Sequence, residues 1–232
     1  ELSRAADELT RTASNIQSVA MFGIGALISS SKNIEETLGL TLDAIEDIVK
    51  SDRCSILLLD FGTRELVLRA ARGMRAGMVG KLRLKADQGI AGEVLKTGIP
   101  KNVPDTDLEP MFVPSPKGYD KIRSMLVVPL MVREKRLGVI NISEVKGKRE
   151  FTPGELEAIK LIADYAALAL ENAGIMEEKE REATTDGLTG LYNYRYFWEE
   201  LLNLIKDEKH QPLSLIWMDL DHFKEYNDVF GH

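Results

Sequence analysis

Two apolar, strand-like runs lie almost back to back in the chain, Ser124–Val132 and Arg136–Ser143, with only the tight Arg133-Glu134-Lys135 turn between them. Their closeness commits the middle of the chain to a sheet. Further strands are predicted at 53–60 and 65–71, joined by the turn Asp60-Phe61-Gly62-Thr63, and an edge strand at Pro100–Val103. Helix signals flank these strands. Asn33 followed by Glu36 has the form of an N-cap with a reciprocating carboxylate, opening a helix to about Lys50 whose apolar face is Leu38, Leu42, Ile45 and Val49. A short helix over 87–98 is closed by Gly98. Thr152-Pro153-Gly154-Glu155 supplies N-cap, N1 proline and N3 glutamate for a helix through Leu156, Ile159, Ala163, Ala166, Leu170 and Ala173. That helix runs on into the charged segment Glu177–Glu182, read as a solvated helical linker. The stretch from Pro104 to Arg123, rich in Pro, Asp and Gly, is expected to be a long loop.

Composition excludes several classes of function. The 232 residues are 44% hydrophobic and 29% charged, enough for an ordinary core and against disorder. A net charge of −7 without clustered Lys or Arg argues against a nucleic-acid partner. The single cysteine, Cys54, sits in an apolar strand and cannot form an internal disulfide, which points to a reducing compartment and the cytoplasm. No apolar run approaches the roughly 20 residues that cross a bilayer, so no membrane contact is expected. Residue 1 is Glu and the last residues, Asn227–His232, stop as a glycine turn begins. The chain is expected to be a piece of a longer protein.

The most chemical segment comes late. Leu213–Met218 is an apolar strand by pattern, and it delivers Asp219 and Asp221 two residues apart, on one face while the chain stays extended. Paired carboxylates there suit a hard divalent ion that bridges triphosphate oxygens. A helix starting near His222 would aim the free amides of His222, Phe223 and Lys224 at a phosphate, with Lys224 adding a cation. The alternative is that Asp-x-Asp merely caps a strand-to-helix turn.

Residues 186–232 resemble the start of a GGDEF (diguanylate cyclase) domain, through Asp186-Gly-Leu-Thr-Gly-Leu-Tyr-Asn193 and Met218-Asp-Leu-Asp-His-Phe-Lys-Glu-Tyr-Asn-Asp-Val-Phe-Gly-His232. Residues 30–176 resemble a GAF domain. That resemblance rests on Gly89-Ile-Ala-Gly-Glu-Val-Leu-Lys-Thr-Gly-Ile-Pro100, Val103-Pro-Asp105, Ile122-Arg-Ser-Met-Leu-Val-Val-Pro-Leu130, Leu137-Gly-Val-Ile-Asn-Ile-Ser143 and Phe151-Thr-Pro153. Together they imply an α+β fold in four parts. These are an N-terminal dimerisation helix at 1–29, a GAF-like antiparallel sheet flanked by helices at 30–176, a helical linker at 177–185, and an incomplete α/β nucleotidyl-cyclase-like fragment at 186–232. By resemblance, Asp219 and the Leu220 carbonyl bind Mg²⁺, Lys224 stabilises the transition state, and Phe223, Asn227 and His232 contact GTP. Leu220 stands where Ile is more usual and Tyr194 where Arg is common. The family's Gly-Gly-[Asp/Glu]-Glu-Phe turn is not among the 232 residues, so this chain alone is expected to be inactive.

For the sensory half, all three histidines, His210, His222 and His232, lie in the cyclase-like fragment, which leaves no imidazole for haem. Cys54, in a core strand, is badly placed to hold a bilin. A pocket is expected between the sheet and the 104–123 loop, with Asp105, Met111, Phe112, Tyr119 and Arg123 as candidates for an unidentified small effector. A collapsed pocket without ligand is the alternative. The apolar or small positions Leu2, Ala6, Leu9, Ala13, Ile16, Ala20, Gly23 and Leu27 form a helical seam. With a second stripe, Ile159, Ile162, Ala166, Ala169, Ala173 and Met176, it predicts a parallel homodimer that aligns two cyclase domains to make cyclic di-GMP from two GTP. The competing reading is a non-enzymatic regulatory dimer whose cyclase-like domain is degenerate.

Overall fold

A computed structural model describes residues 21–74, 77–114, 120–206 and 212–231. Positions 2 to 20 of the seam, with Tyr119, His210 and His232, lie outside them. The chain divides into two compact units that meet at Glu177 and Glu178.

In the first unit, six strands form one antiparallel sheet in the order β3-β2-β1-β6-β5-β4. They are β1 (Arg53–Asp60), β2 (Glu65–Arg72), β3 (Arg83–Lys85), β4 (Lys101–Val103), β5 (Ser124–Val132) and β6 (Lys135–Glu144). The β5–β6 hairpin turns at Arg133, which takes a φ of 54°. β6 then pairs with β1, so the hairpin and the first two strands make the sheet's centre. The three-residue β3 had no signal in the sequence: its Arg-Leu-Lys is too short to show a period.

Each face of the sheet builds its own core. One is covered by helix α1 (residues 21–29), α2 (Ile34–Ile48) and α4 (Pro153–Thr184), with Ile28, Leu42, Ile45, Ile56, Ile140, Ile142, Ile159 and Ile162 buried together. Residue Gly25 of α1 lies so close to Tyr165 of α4 that a Cβ there would sit 2.5 Å from the ring. Helix α3 (Gly89–Thr97) covers the other face, its Ile90, Val94 and Leu95 packing on Leu57, Leu66, Leu68, Val127 and Val139.

The caps follow local rules. Asn33 Oδ1 accepts the Glu36 N–H at 2.8 Å, and the Glu36 carboxylate reciprocates one residue early, on the Lys32 N–H. Glu155 accepts the Thr152 N–H at 2.8 Å while its own N–H reaches the Thr152 hydroxyl at 3.2 Å, a closed capping box at the head of α4. Gly98 ends α3 at a φ of 71°.

Helix α4 differs from the expected dimer stripe. Ile159, Ile162, Ala166, Ala169 and Ala173 are buried inside the unit, the alanines letting the helix lie close against its own sheet, while Met176 at the end of that stripe is exposed. Its outward stripe is instead Leu161, Leu168 and Ile175, which are 38%, 47% and 48% exposed.

The second unit continues from the end of α4 through a turn to α5 (Tyr194–Lys206) and then α6 (Phe223–Phe230). The strand expected at Leu213–Met218 does not form: residues 213–220 are irregular and Leu215, Ile216 and Trp217 are exposed. A strand needs a neighbour for its N–H and C=O groups, and no described strand of this unit offers one. Among the described residues no helix is long and apolar enough to cross a membrane.

Candidate functional site

The joint between α4 and α5 is built by the first of the two cyclase-like motifs. Asp186 accepts the N–H of Thr189 at 2.9 Å and its hydroxyl at 2.7 Å, while Gly190 turns the chain at a φ of 71°. Asn193 then works in both directions. Its carboxamide oxygen caps α5 on the Tyr196 N–H at 3.0 Å, and its amide nitrogen donates to the Ala183 carbonyl at 2.7 Å, near the end of α4. The Asn193 backbone N–H adds a bond to the Thr184 carbonyl. One side chain thus ties the end of one helix to the start of the next.

The second motif begins where the irregular segment ends. His222 has a φ of 58°, a left-handed turn that swings the chain into α6. The start of α6 leaves its first amides without intrahelical partners, with Lys224 on its first turn and exposed. Phe223 and Leu220 are exposed too. Asn227 lies within α6. Asp219 and Asp221 are exposed, and the Asp219 carboxylate accepts the neighbouring Leu220 N–H at 3.0 Å. Mg²⁺ takes about six oxygens, of which two side chains and a carbonyl supply about half. Among the described residues no group of three or more His, Cys, Asp or Glu converges on one point. These residues supply part of a Mg²⁺ shell and leave the rest to water and substrate phosphate oxygens.

The described loop residues expected to line a sensory pocket each make contacts of their own. Asp105 caps the 3₁₀ turn Thr106–Leu108 through the Asp107 N–H at 3.0 Å and pairs with Lys148 at 2.6 Å. The Lys148 ammonium, then the Asp107 amide, hold its carboxyl below the usual range. Arg123 is spent on the Val145 carbonyl at 3.2 Å, and Met111 is exposed. Phe112 packs on the second core, as does Ile122. The loop is pinned by groups the sequence did not single out: Lys101 bonds Glu93 of α3 at 2.6 Å and Glu109 of the loop at 3.0 Å. The sequence signal was there, a lysine flanked eight residues away on each side by a carboxylate. Cys54 is buried, and burial pushes its thiol up to about 12, so it stays protonated and unreactive.

Comparison with known proteins agrees with this division. The GAF domain family matches residues 31–171, more than half of the chain, and the diguanylate cyclase, GGDEF domain family matches residues 183–232. Diguanylate cyclase A of Treponema denticola is 32% identical over 111 residues, 45% of this chain and 29% of its own length. The Nif-specific regulatory protein of Azospirillum lipoferum is 23% identical over 185 residues, 76% of this chain and 29% of its own length. This chain therefore spans less than a third of either relative. Among solved structures, the GAF domain of a phosphoenolpyruvate-protein phosphotransferase from Coxiella burnetii superposes with a TM-score of 0.63 at 26% identity, covering 68% of this chain and 94% of that one. The sheet order, the helix-covered faces and the span of the match agree: the chain belongs to the GAF domain family and carries, after its GAF domain, the beginning of a GGDEF domain.

Proposed function

We propose that this chain is the sensory and coupling part of a cytoplasmic, homodimeric diguanylate cyclase, in which the state of the GAF domain sets the alignment of two GGDEF domains. The observation that carries the reading is the unbroken α4, which leaves the GAF unit and ends on the Asn193 tie to α5. In the longer protein each GGDEF domain holds one GTP, and each 3′-hydroxyl attacks the partner nucleotide's α-phosphate, expelling pyrophosphate. Lys224 and the free amides at the start of α6 meet phosphate oxygens, Phe223, Asn227 and His232 line the nucleotide, and Asp219 with the Leu220 carbonyl contributes to Mg²⁺ binding only alongside ligands beyond those described. The 232 residues lack the Gly-Gly-[Asp/Glu]-Glu-Phe turn, so by themselves they turn over no GTP.

The test is cyclic di-GMP formation from GTP and Mg²⁺ by the 232-residue chain and by a longer protein that includes a complete GGDEF domain. The expected result is product from the second and none from the first. Product from the short chain would refute the incomplete-site argument. A longer protein that binds GTP without making product would establish the non-enzymatic regulatory reading instead.

A further inference from the structure

Helix α1 presents two faces of different character. Met21, Gly25 and Ile28 turn inward: all three are buried, and Met21 and Ile28 share one core with Ile162, Ala166 and Ala169 of α4. Phe22, Gly23, Ala26 and Leu27 turn outward and are exposed. Carried back through the sequence at the same three-and-four spacing, the inward positions become Ser18, Ser14, Arg11 and Asp7, all polar. The outward stripe instead continues through Ala20, Ile16, Ala13 and Leu9. Residues 21–28 therefore join an apolar stripe that leads toward the N-terminus to a grip on α4 that stops at Met21.

That grip depends on the absence of a side chain. A Cβ on Gly25 would lie 2.5 to 2.7 Å from three ring atoms of Tyr165, so the α1 backbone rests directly on the ring. Sliding α1 by one residue would bring Ile24 or Ala26 onto the ring, where only glycine fits. A second contact ties the corner after α1 to the same helix. The Ser31 hydroxyl closes the end of α1 on the Ile28 carbonyl at 2.7 Å and lies 2.6 Å from the Thr37 hydroxyl of α2, and the Ile34 N–H reaches the Glu177 carboxylate at 3.4 Å. Tyr165 and Glu177 are 12 residues apart, about 18 Å of helix, and Glu177 is the last residue of the GAF unit.

We propose that α1 is a direct second input to α4. Keyed at Gly25 on Tyr165 and held at Ile34 on Glu177, it hands a displacement of the N-terminal segment to the helix that leaves the GAF domain, without passing through the sheet. Tightly packed helices shift as units rather than deform, so a key at one point moves the whole helix. That this input regulates cyclase output rests on the function proposed above; the mechanical coupling does not.

The test begins with Gly25→Ala in the 232-residue chain. On a helix without close neighbours this substitution stabilises, because alanine is the better helix former. Here it is expected to lower the thermal unfolding midpoint and to quicken amide exchange several-fold from Glu171 to Thr184, with β1 and β6 unchanged. Tyr165→Leu makes room, and combined with Gly25→Ala it is expected to reverse both effects. Glu177→Ala, an exposed change that leaves the core intact, is expected to quicken exchange at Ile34 and in the same part of α4. In a longer protein with a complete GGDEF domain, Gly25→Ala is expected to change the rate of cyclic di-GMP formation several-fold at an unchanged KM for GTP, and the double variant to restore it. The coupling is overturned if Gly25→Ala raises the midpoint, if it quickens exchange only around Tyr165, which would mark the notch as local packing, or if Glu177→Ala changes nothing. Exchange that responds while cyclic di-GMP output does not would refute the regulatory role alone. A longer protein that makes no product would refute the function proposed above, and the exchange result would still decide the coupling.

Discussion

Asp52 shows how much one side chain does at the open end of the sheet. Its carboxylate accepts the N–H groups of Val145 and Lys146, each at 3.0 Å, and meets the Lys146 ammonium at 2.8 Å. The Lys146 side chain first, and then these backbone amides, hold the Asp52 carboxyl far below its ordinary 3.8. Because that ammonium is 87% exposed and screened by water, the amide bonds account for most of what a substitution removes. Asp52→Asn is therefore expected to cost about 2 kcal/mol near neutral pH, and Lys146→Met clearly less, in urea unfolding. The sign with pH follows from the lowered pKa: the Asp52 contribution is complete above 3.8 and is lost as pH falls toward the folded value, so parent and Asp52→Asn converge in acid. Glu144, raised by burial, has the opposite sign and subtracts stability as pH rises through 4.5. A parent and an Asp52→Asn chain that keep the same gap from pH 7 to the acid limb would contradict this account.

The elements are held at their ends, and the α4–α5 joint is the end on which the proposed function depends. Removing the Asn193 carboxamide takes away the α5 cap and the tie to Ala183 together. Asn193→Ala is expected to free this joint by about 1 kcal/mol, read as several-fold faster amide exchange at Thr185, Asp186 and Tyr196 with α4 between Ile159 and Leu170 unchanged. Uniform acceleration along α4 would mean that the tie holds the whole helix rather than the joint. Such joints are legible in sequence because their chemistry is local: Thr152 with Glu155, Asn33 with Glu36, and Gly98 all act within four residues of where they stand. What depends on distant partners was not legible. Leu213–Met218 has a strand's composition but no described strand beside it. On α4 two stripes compete, and only the sheet decides that Ile159, Ala166 and Ala173 turn inward while Leu161, Leu168 and Ile175 turn out.

At the scale of the whole molecule, the outward stripe of α4 argues for self-association through a surface different from the one its sequence first suggests. Leu161, Leu168 and Ile175 recur at seven-residue intervals and read as d positions of a heptad, with the exposed Asn172 at an a position, while the other a positions, Ala158 and Tyr165, pack partly on the unit's own core. Apolar residues at d favour two-stranded pairing, and a polar Asn172 at a fixes a parallel register at some cost in stability. On α1, Gly23 and Leu27 are exposed as well, so the described end of the N-terminal seam is free to continue the same contact. Parallel pairing would bring the two α4 helices out side by side, as the proposed condensation of two GTP requires. Leu161→Glu with Leu168→Glu would set like charges against each other across the seam, each buried carboxylate costing about 3 kcal/mol, enough to dissociate a micromolar dimer. Light scattering is expected to find the parent as a dimer and this variant as a monomer, with the circular dichroism of the two unchanged because neither leucine belongs to the buried core. Asn172→Leu is expected to tighten association while admitting other registers or higher oligomers. A parent that is monomeric at micromolar concentration, or a doubly substituted chain that remains dimeric, would show that the stripe serves some other contact.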